Sequence, residues 1–191
     1  MSVNAELLTF DEYKIELVNE SSFTLNSTDN CFSYDYEYFD EEAKYYNPSA
    51  HGIRVKKAEE LICSTIICAT AGATGIHENS AVIINNGILV CCANKVVCLS
   101  LPDLKLIWMK EVDNVCCFQI FKNDEGIFVH GELKVSKIDE HGNIKWSVNF
   151  ADITVKANDK ETFLIHDDFI EVKDWQNNNY KINFDGKFIL T

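Results

Sequence analysis

The stretch Gly126–Trp146 reads GIFVHGELKVSKIDEHGNIKW. Two short apolar runs flank Glu132, and the second ends in the polar group Glu140-His141-Gly142-Asn143 before Ile144-Lys145-Trp146. Val, Ile and Phe suit a pleated, half-buried surface, and Gly and Asn tolerate the positive φ of tight turns. The segment therefore reads strand, turn, strand, turn, strand. The same order precedes it in Gly87–Trp108, GILVCCANKVVCLSLPDLKLIW, introduced by Asn85-Asn86. It follows in a third run through His166-Asp167-Asp168, FIEVKD, Trp175–Asn179, YKINF, Asp185-Gly186 and KFIL. Trp108 and Trp146 stand at equivalent places 38 residues apart, and Ile189 or Leu190 takes that place in the third unit. A unit of about 40 residues cannot bury its sheet alone and must stack on a neighbour. The units are expected over 81–115, 116–153 and 154–191.

This rhythm resembles the blades of β-propellers, the pyrroloquinoline-quinone-like repeats in particular, over residues 81–191. The resemblance implies an all-β fold of consecutive antiparallel blade-like sheets. Three units fall short of the usual four to eight or so. Either the N-terminal region supplies further strands, or the sheets form an open stack, a partial propeller. The family's cofactor chemistry is not carried over. A quinone site needs many blades around a channel, and no matching set of ligands is visible, so no cofactor is expected.

Residues 1–80 read as an acidic, Tyr-rich N-terminal β-region in one compact unit with the repeats. The chain carries 30 acidic and 17 basic residues, a net charge of -13. Residues 1–50 hold eleven acidic and two basic residues, so most of the excess is local. Its densest part is CFSYDYEYFDEEAKYY, Cys31–Tyr46. Phe32, Tyr34, Tyr36 and Tyr38 alternate with Ser33, Asp35 and Glu37, which predicts a strand with one aromatic and one acidic face. Ser22–Leu25 is expected to pair with it. Gly52–Lys57 and Leu61–Thr70 read as further strands, and Leu7–Val18 as either a short helix or a strand. The alternating run reads as a packed sheet or as a recognition surface for a basic protein. In the second reading Tyr34, Tyr36 and Tyr38 are anchors among Asp35, Glu37, Asp40 and Glu41.

One loop stands out: Ala69–Ser80, ATAGATGIHENS, between two apolar runs. Loops on rigid sheets tend to carry sites, and Thr74, His77, Glu78, Asn79 and Ser80 are its candidate ligand-binding residues. His77 beside Glu78 suggests a general acid/base pair, although neighbours on a strand diverge. The alternative is a structural connection in which Asn79 and Ser80 bond local backbone. There is no P-loop, no H-E-x-x-H and no G-x-S-x-G, so no catalytic residue is assigned. The polar tip Asp174 with Asn177–Asn179 lacks EF-hand spacing and reads as a hairpin turn.

The eight Cys lie mostly in apolar runs, with no C-x-x-C. Adjacent Cys91–Cys92 and Cys116–Cys117 would point to opposite faces of a strand. They read as free, core-filling thiols of a cytoplasmic protein, not as metal ligands. MSVNAELLTF lacks a basic then apolar signal, and no apolar run reaches the ~18 residues of a membrane span. A single Arg, Arg54, and the acidic balance argue against nucleic acid and anionic lipid. The reading that results is a non-catalytic protein-interaction module, in profile an inhibitor or immunity-type binder of a basic protein. Its alternatives are a small hydrolase-type enzyme with its site in 72–80, and a structural subunit that oligomerises through sheet edges.

Overall fold

The computed structural model describes residues 5–85, 87–154 and 162–189. Among them there is no helix, and sixteen strands form four sheets. The first sheet holds β1 (Ala5–Phe10), β2 (Tyr13–Asn19), β3 (Tyr36–Phe39), β4 (Ser49–Lys57) and β5 (Glu60–Ala69) in the order β1-β2-β4-β5-β3. The second is the meander β6 (Ala81–Ile84), β7 (Gly87–Cys92), β8 (Lys95–Ser100), β9 (Leu106–Glu111). The third is the meander β10 (Cys117–Asn123), β11 (Gly126–Gly131), β12 (Lys134–Ile138), β13 (Ile144–Asn149). The fourth has β14 (Phe163–Ile165), β15 (Ile170–Lys173) and β16 (Asn179–Ile182), extended by a bridge from Ile182 to Phe188. Of the turn and repeat positions read from sequence, Asn86 and Leu190 lie outside the described residues, as does 155–161 within the third unit.

Each sheet offers alternate side chains to its neighbour, and three apolar layers result. Ile15, Leu17, Ile53 and Ile67 meet Ile88, Val90, Val97 and Leu99 between the first and second sheets. Leu89, Val96 and Cys98 meet Ile120, Ile127 and Val129 between the second and third. Phe128, Val135 and Val148 meet Phe163, Ile170, Val172 and Ile182 between the third and fourth. Cys91 and Cys92 do face opposite ways, into the second and first layers respectively. The sheets are blade-like and stay open rather than closing into a barrel.

The N-terminal region is the part that sequence periodicity misreads. Leu7–Val18 is neither one helix nor one strand but the hairpin β1–β2, which turns at Asp11 with φ 50°. Ser22–Leu25 is a turn region, not a strand. The expected aromatic/acidic strand is confined to Tyr36–Phe39, which pairs parallel to β5 as a fifth, outermost strand. Phe32–Asp35 is non-strand: Asp35 meets β5 through the Ser64 side chain and N–H rather than through a backbone ladder.

With β3 set aside, β1-β2-β4-β5 is an antiparallel meander like the two that follow. The match extends to a bulge. Cys63 pairs with Val55 and Leu61 with Lys56; Trp108 pairs with Cys98 and Leu106 with Leu99; Trp146 pairs with Lys137 and Ile144 with Ile138. Leu61-Ile62-Cys63, Leu106-Ile107-Trp108 and Ile144-Lys145-Trp146 are thus the same three positions in three sheets. The first sheet is a fourth repeat, interrupted by residues 20–48.

Candidate functional site

The 69–80 loop carries the chain from the first sheet to the second, with Thr74, Ile76 and Ser80 turned inward. Thr74 is buried. Its N–H donates to Ser49 Oγ at 2.7 Å, and its Oγ1 accepts the Ala93 N–H at 2.9 Å. Thr74 Oγ1 also lies 3.1 Å from His51 Nε2, and Ser49 Oγ donates to the Gly72 carbonyl at 3.0 Å. Ser49 and His51 have no exposed surface. Burial holds the His51 imidazole down to about 4, so it is neutral.

The second half of the loop closes on itself. The His77 N–H donates to Ser80 Oγ at 2.9 Å, the Ser80 N–H returns to the His77 carbonyl at 3.1 Å, and Asn79 adopts φ 67°. The His77 Nδ1 lies 2.9 Å from the carbonyl of Glu78, so its near neighbour is the Glu78 backbone. The Asn79 carbonyl accepts from Ile120 N–H at 2.8 Å and that of Ser80 from Cys91 N–H at 2.9 Å, which ties the loop to the third and second sheets. Of the five loop candidates, Thr74 and Ser80 are buried and Asn79 half-buried, while His77 and Glu78 face solvent. Sequence reasoning passed over Glu6. Its Oε1 accepts the Asn79 N–H at 3.0 Å, and burial, helped by the charge of Glu78, raises its carboxyl to about 7.

The acidic, Tyr-rich segment divides in the same way. Tyr34 is buried over Gly52 and donates its hydroxyl to Glu20 Oε1 at 2.5 Å. Burial first, and then this bond, raise its phenol well above the usual tyrosine value. Asp35 Oδ2 accepts from both the N–H and the hydroxyl of Ser64 at 2.8 Å. Tyr38 donates to the Leu104 carbonyl at 3.2 Å and accepts the Leu106 N–H at 3.1 Å. Asp40 accepts the N–H groups of Thr70 at 3.0 Å and Ala43 at 2.8 Å and pairs with Lys95 at 3.1 Å. Burial pushes the Asp40 carboxyl up, but those donors outweigh it and the net shift is downward. Tyr36, Glu37 and Glu41 remain exposed, and Tyr36 stacks on Tyr38 at 6.1 Å between ring centroids. Beside them in the chain, Glu42 is exposed, and Tyr45 and Tyr46 show 92% and 69% of their surface.

A polar cleft of about 410 Å³ lies between two hairpin turns, lined by Asn123, Asp124, Glu125, Ile165, His166 and Asp167. His166 Nε2 is engaged there by Glu171 at 3.1 Å. Among the described residues no group of three or more His, Cys, Asp or Glu is placed to hold a metal ion. Burial raises the thiols, Cys98 to about 11 and Cys68 and Cys116 to about 12, which makes them poor nucleophiles.

No protein-family model matches the chain, and no curated protein matches it in sequence. Solved structures do resemble it. The computationally designed Ika8 protein superposes with a TM-score of 0.55 at 8% identity, over 96% of this chain and 47% of that one. The AfRom2 CNH domain gives 0.50 at 12% identity, over 98% and 70%. The Neurospora crassa Pan2 WD40 domain gives 0.46 at 14%, over 59% and 36%. The chain spans about half the length of Ika8 and about a third of the Pan2 domain. At these identities the likeness is one of fold, an all-β succession of blade-like sheets.

Proposed function

We propose that the protein is a non-catalytic protein-interaction module whose contact surface is the exposed part of the acidic, Tyr-rich segment. The observation that carries this reading is the exposure of Tyr45 and Tyr46, with Tyr36, beside the carboxylates of Glu37, Glu41 and Glu42. Tyr presents large, rigid contact area with a polar tip, and carboxylates around it select a basic partner and speed its encounter. An inhibitor or immunity-type role against a basic protein fits that profile, as does a reducing, cytoplasmic setting for eight free thiols. Trp108 and Trp146 hold the same register position in successive sheets, and their indole N–H groups donate to the Glu140 and Phe184 carbonyls of the following sheet's turns, which supports kinship with pyrroloquinoline-quinone-like blades. The hydrolase alternative has less support, because Thr74 and Ser80 are consumed by packing and the His77 ring is held by a backbone carbonyl.

The test separates surface from scaffold. Asp35 and Asp40 hold backbone groups, so reversing their charge would damage the fold and say nothing about binding. Glu37, Glu41 and Glu42 changed to Lys, with Tyr45 and Tyr46 changed to Ser, should abolish capture of a stoichiometric partner from source lysate while leaving the melting temperature within a few degrees. Partner capture at the original level by a folded variant would overturn the proposal.

A further inference from the structure

Residues 20–48 do more than display the exposed tyrosines. They leave the first sheet after β2, cross its outer face, touch its edge as the short strand β3 beside β5, and return to its interior at β4. Under them lies an apolar patch of Val18, Ala50, Ile66 and Cys68, each at most 4% exposed. Phe23, Tyr34 and Ala43 of the segment seal it, with Phe32 and Phe39 at its margin. This is a fourth apolar layer, on the side of the first sheet that faces away from the second, where a stacked repeat would place another sheet. Arg54 fastens the strap: its guanidinium lies 4.1 Å from the Phe32 centroid and 2.8 Å from Glu20 Oε1. Tyr34 fits because residue 52 is Gly, since a Cβ there would lie 2.0 Å from the Tyr34 hydroxyl oxygen.

The face of the fourth sheet turned away from the third is of a different character. Leu164, Glu171 and Lys181 lie in one row across the fourth sheet. They point away from the third sheet, because Phe163, Ile170, Val172 and Ile182 fill the layer facing it. Glu171 is engaged by His166 and by Asn179, and Lys181 lies 4.9 Å from the Phe169 centroid. A charged, internally bonded face of this kind does not offer an apolar sheet a place to stack.

We propose that the parts of residues 20–48 on either side of β3, which carry Phe23, Tyr34, Ala43 and Asn47, are a self-capping strap that takes the place of a neighbouring sheet on the first sheet, and that its release from that face, with β3 left paired to β5, lets two copies of the chain pair through it. The polar far face of the fourth sheet disfavours head-to-tail stacking, so the exposed patch pairs with its own copy in an isologous dimer. The inference does not depend on the partner surface, since it concerns the buried side of the strap.

Cys68 reports on the strap directly, because it is unexposed beneath it and lies 3.6 Å from Asn47 Nδ2. Cys92 and Cys117 are equally buried but lie in the layers between sheets. In the full-length protein with Gly52→Ala, which expels the Tyr34 ring, alkylation of Cys68 should quicken by about tenfold or more, a shift equivalent to roughly 1.4 kcal/mol of opening. Cys92 and Cys117 should stay protected, and sedimentation should move from monomer toward dimer as concentration rises. Unmodified protein gives the same test without a substitution: it should sediment as a monomer and label Cys68 before Cys92 and Cys117. The proposal is overturned if Cys68 opens only together with Cys92 and Cys117, if the Gly52→Ala protein leaves Cys68 protected, if it opens the strap yet stays monomeric, or if the unmodified protein is already dimeric.

Discussion

Trp108 of the second sheet rests on Gly142 of the third: a Cβ built at Gly142 would lie 2.8 Å from the indole Cζ3. The indole N–H donates to the Glu140 carbonyl in the same turn at 3.1 Å. Trp146 repeats the arrangement one sheet later, 2.6 Å from a Cβ at Gly186 and 3.0 Å from the Phe184 carbonyl. Each dock gives the indole N–H a carbonyl partner and holds a turn against the preceding sheet, so the spacing between sheets is set at their outer edge as well as in their core.

Gly142 and Gly186 adopt φ of 73° and 78°, so a methyl group there meets both the left-handed backbone penalty and the indole. Gly142→Ala and Gly186→Ala should each cost about 2 kcal/mol, a fall of roughly 5 °C in melting temperature for a chain of this size. Thermal unfolding by circular dichroism is sufficient, and an unchanged midpoint would show that the turns yield freely.

At the first junction Cys63 holds the register position that Trp108 and Trp146 hold in the next two sheets, and its thiol lies 3.3 Å from the Asp103 carbonyl. A thiol is far smaller than an indole, and Tyr38 supplies a ring from β3, with its hydroxyl bonded to Leu104 and Leu106 at the edge of the same turn. Tyr38→Phe should therefore cost about 1 kcal/mol, chiefly for the Leu104 carbonyl, since the Leu106 N–H is open to water. Tyr38→Ala and Cys63→Trp should each destabilise more, one by a cavity and the other by overpacking. Their combination should recover at least about 1 kcal/mol relative to the sum. A double-mutant cycle from urea unfolding measures this, and strict additivity would mean that the two side chains do not share the space.

The first repeat escaped the sequence for that reason. Trp marks the other docks, Cys63 does not, and the 20–48 insertion separates β2 from β4 so that no unit of regular length is visible. The later units were legible because hydrophobic runs, Gly-bearing turns and Trp fall at nearly constant spacing. In the acidic segment the alternation of Tyr with Asp and Glu was real over Tyr36–Phe39 and accidental before it. Tyr34 is spent on Gly52 and Glu20 and Asp35 on Ser64, contacts between residues distant in sequence that local periodicity does not encode. The loop residues His77 and Glu78 drew attention as neighbours, whereas the perturbed carboxyl beside them, Glu6, comes from the far end of the chain.

Glu6 and the buried imidazoles give stability two opposing pH dependences. Burial raises the Glu6 carboxyl from 4.5 to about 7, against the backbone N–H groups of Asn79, Ser80 and Ala81. A carboxyl raised in the fold contributes stability that is complete below 4.5 and lost as pH climbs through about 7. His51 and His130 behave the other way. Burial holds both down to about 4 from 6.5, so the unfolded chain takes up their protons first and stability is lost as pH falls from 6.5 toward 4. Each imidazole is fully enclosed and accounts for about 3 kcal/mol at most, whereas Glu6 is partly solvated and its share is screened to about 1–2 kcal/mol. The acid loss should therefore outweigh the alkaline one, with a stability maximum near neutral pH. Glu6→Gln should remove the decline on the alkaline side of that maximum and steepen the acid limb, because the opposing effect is gone. Unfolding free energies from urea titrations across pH 4–8 decide it. A Glu6→Gln curve parallel to that of the unmodified protein would remove Glu6 as the source of the alkaline decline, and a flat acid limb would do the same for the two histidines.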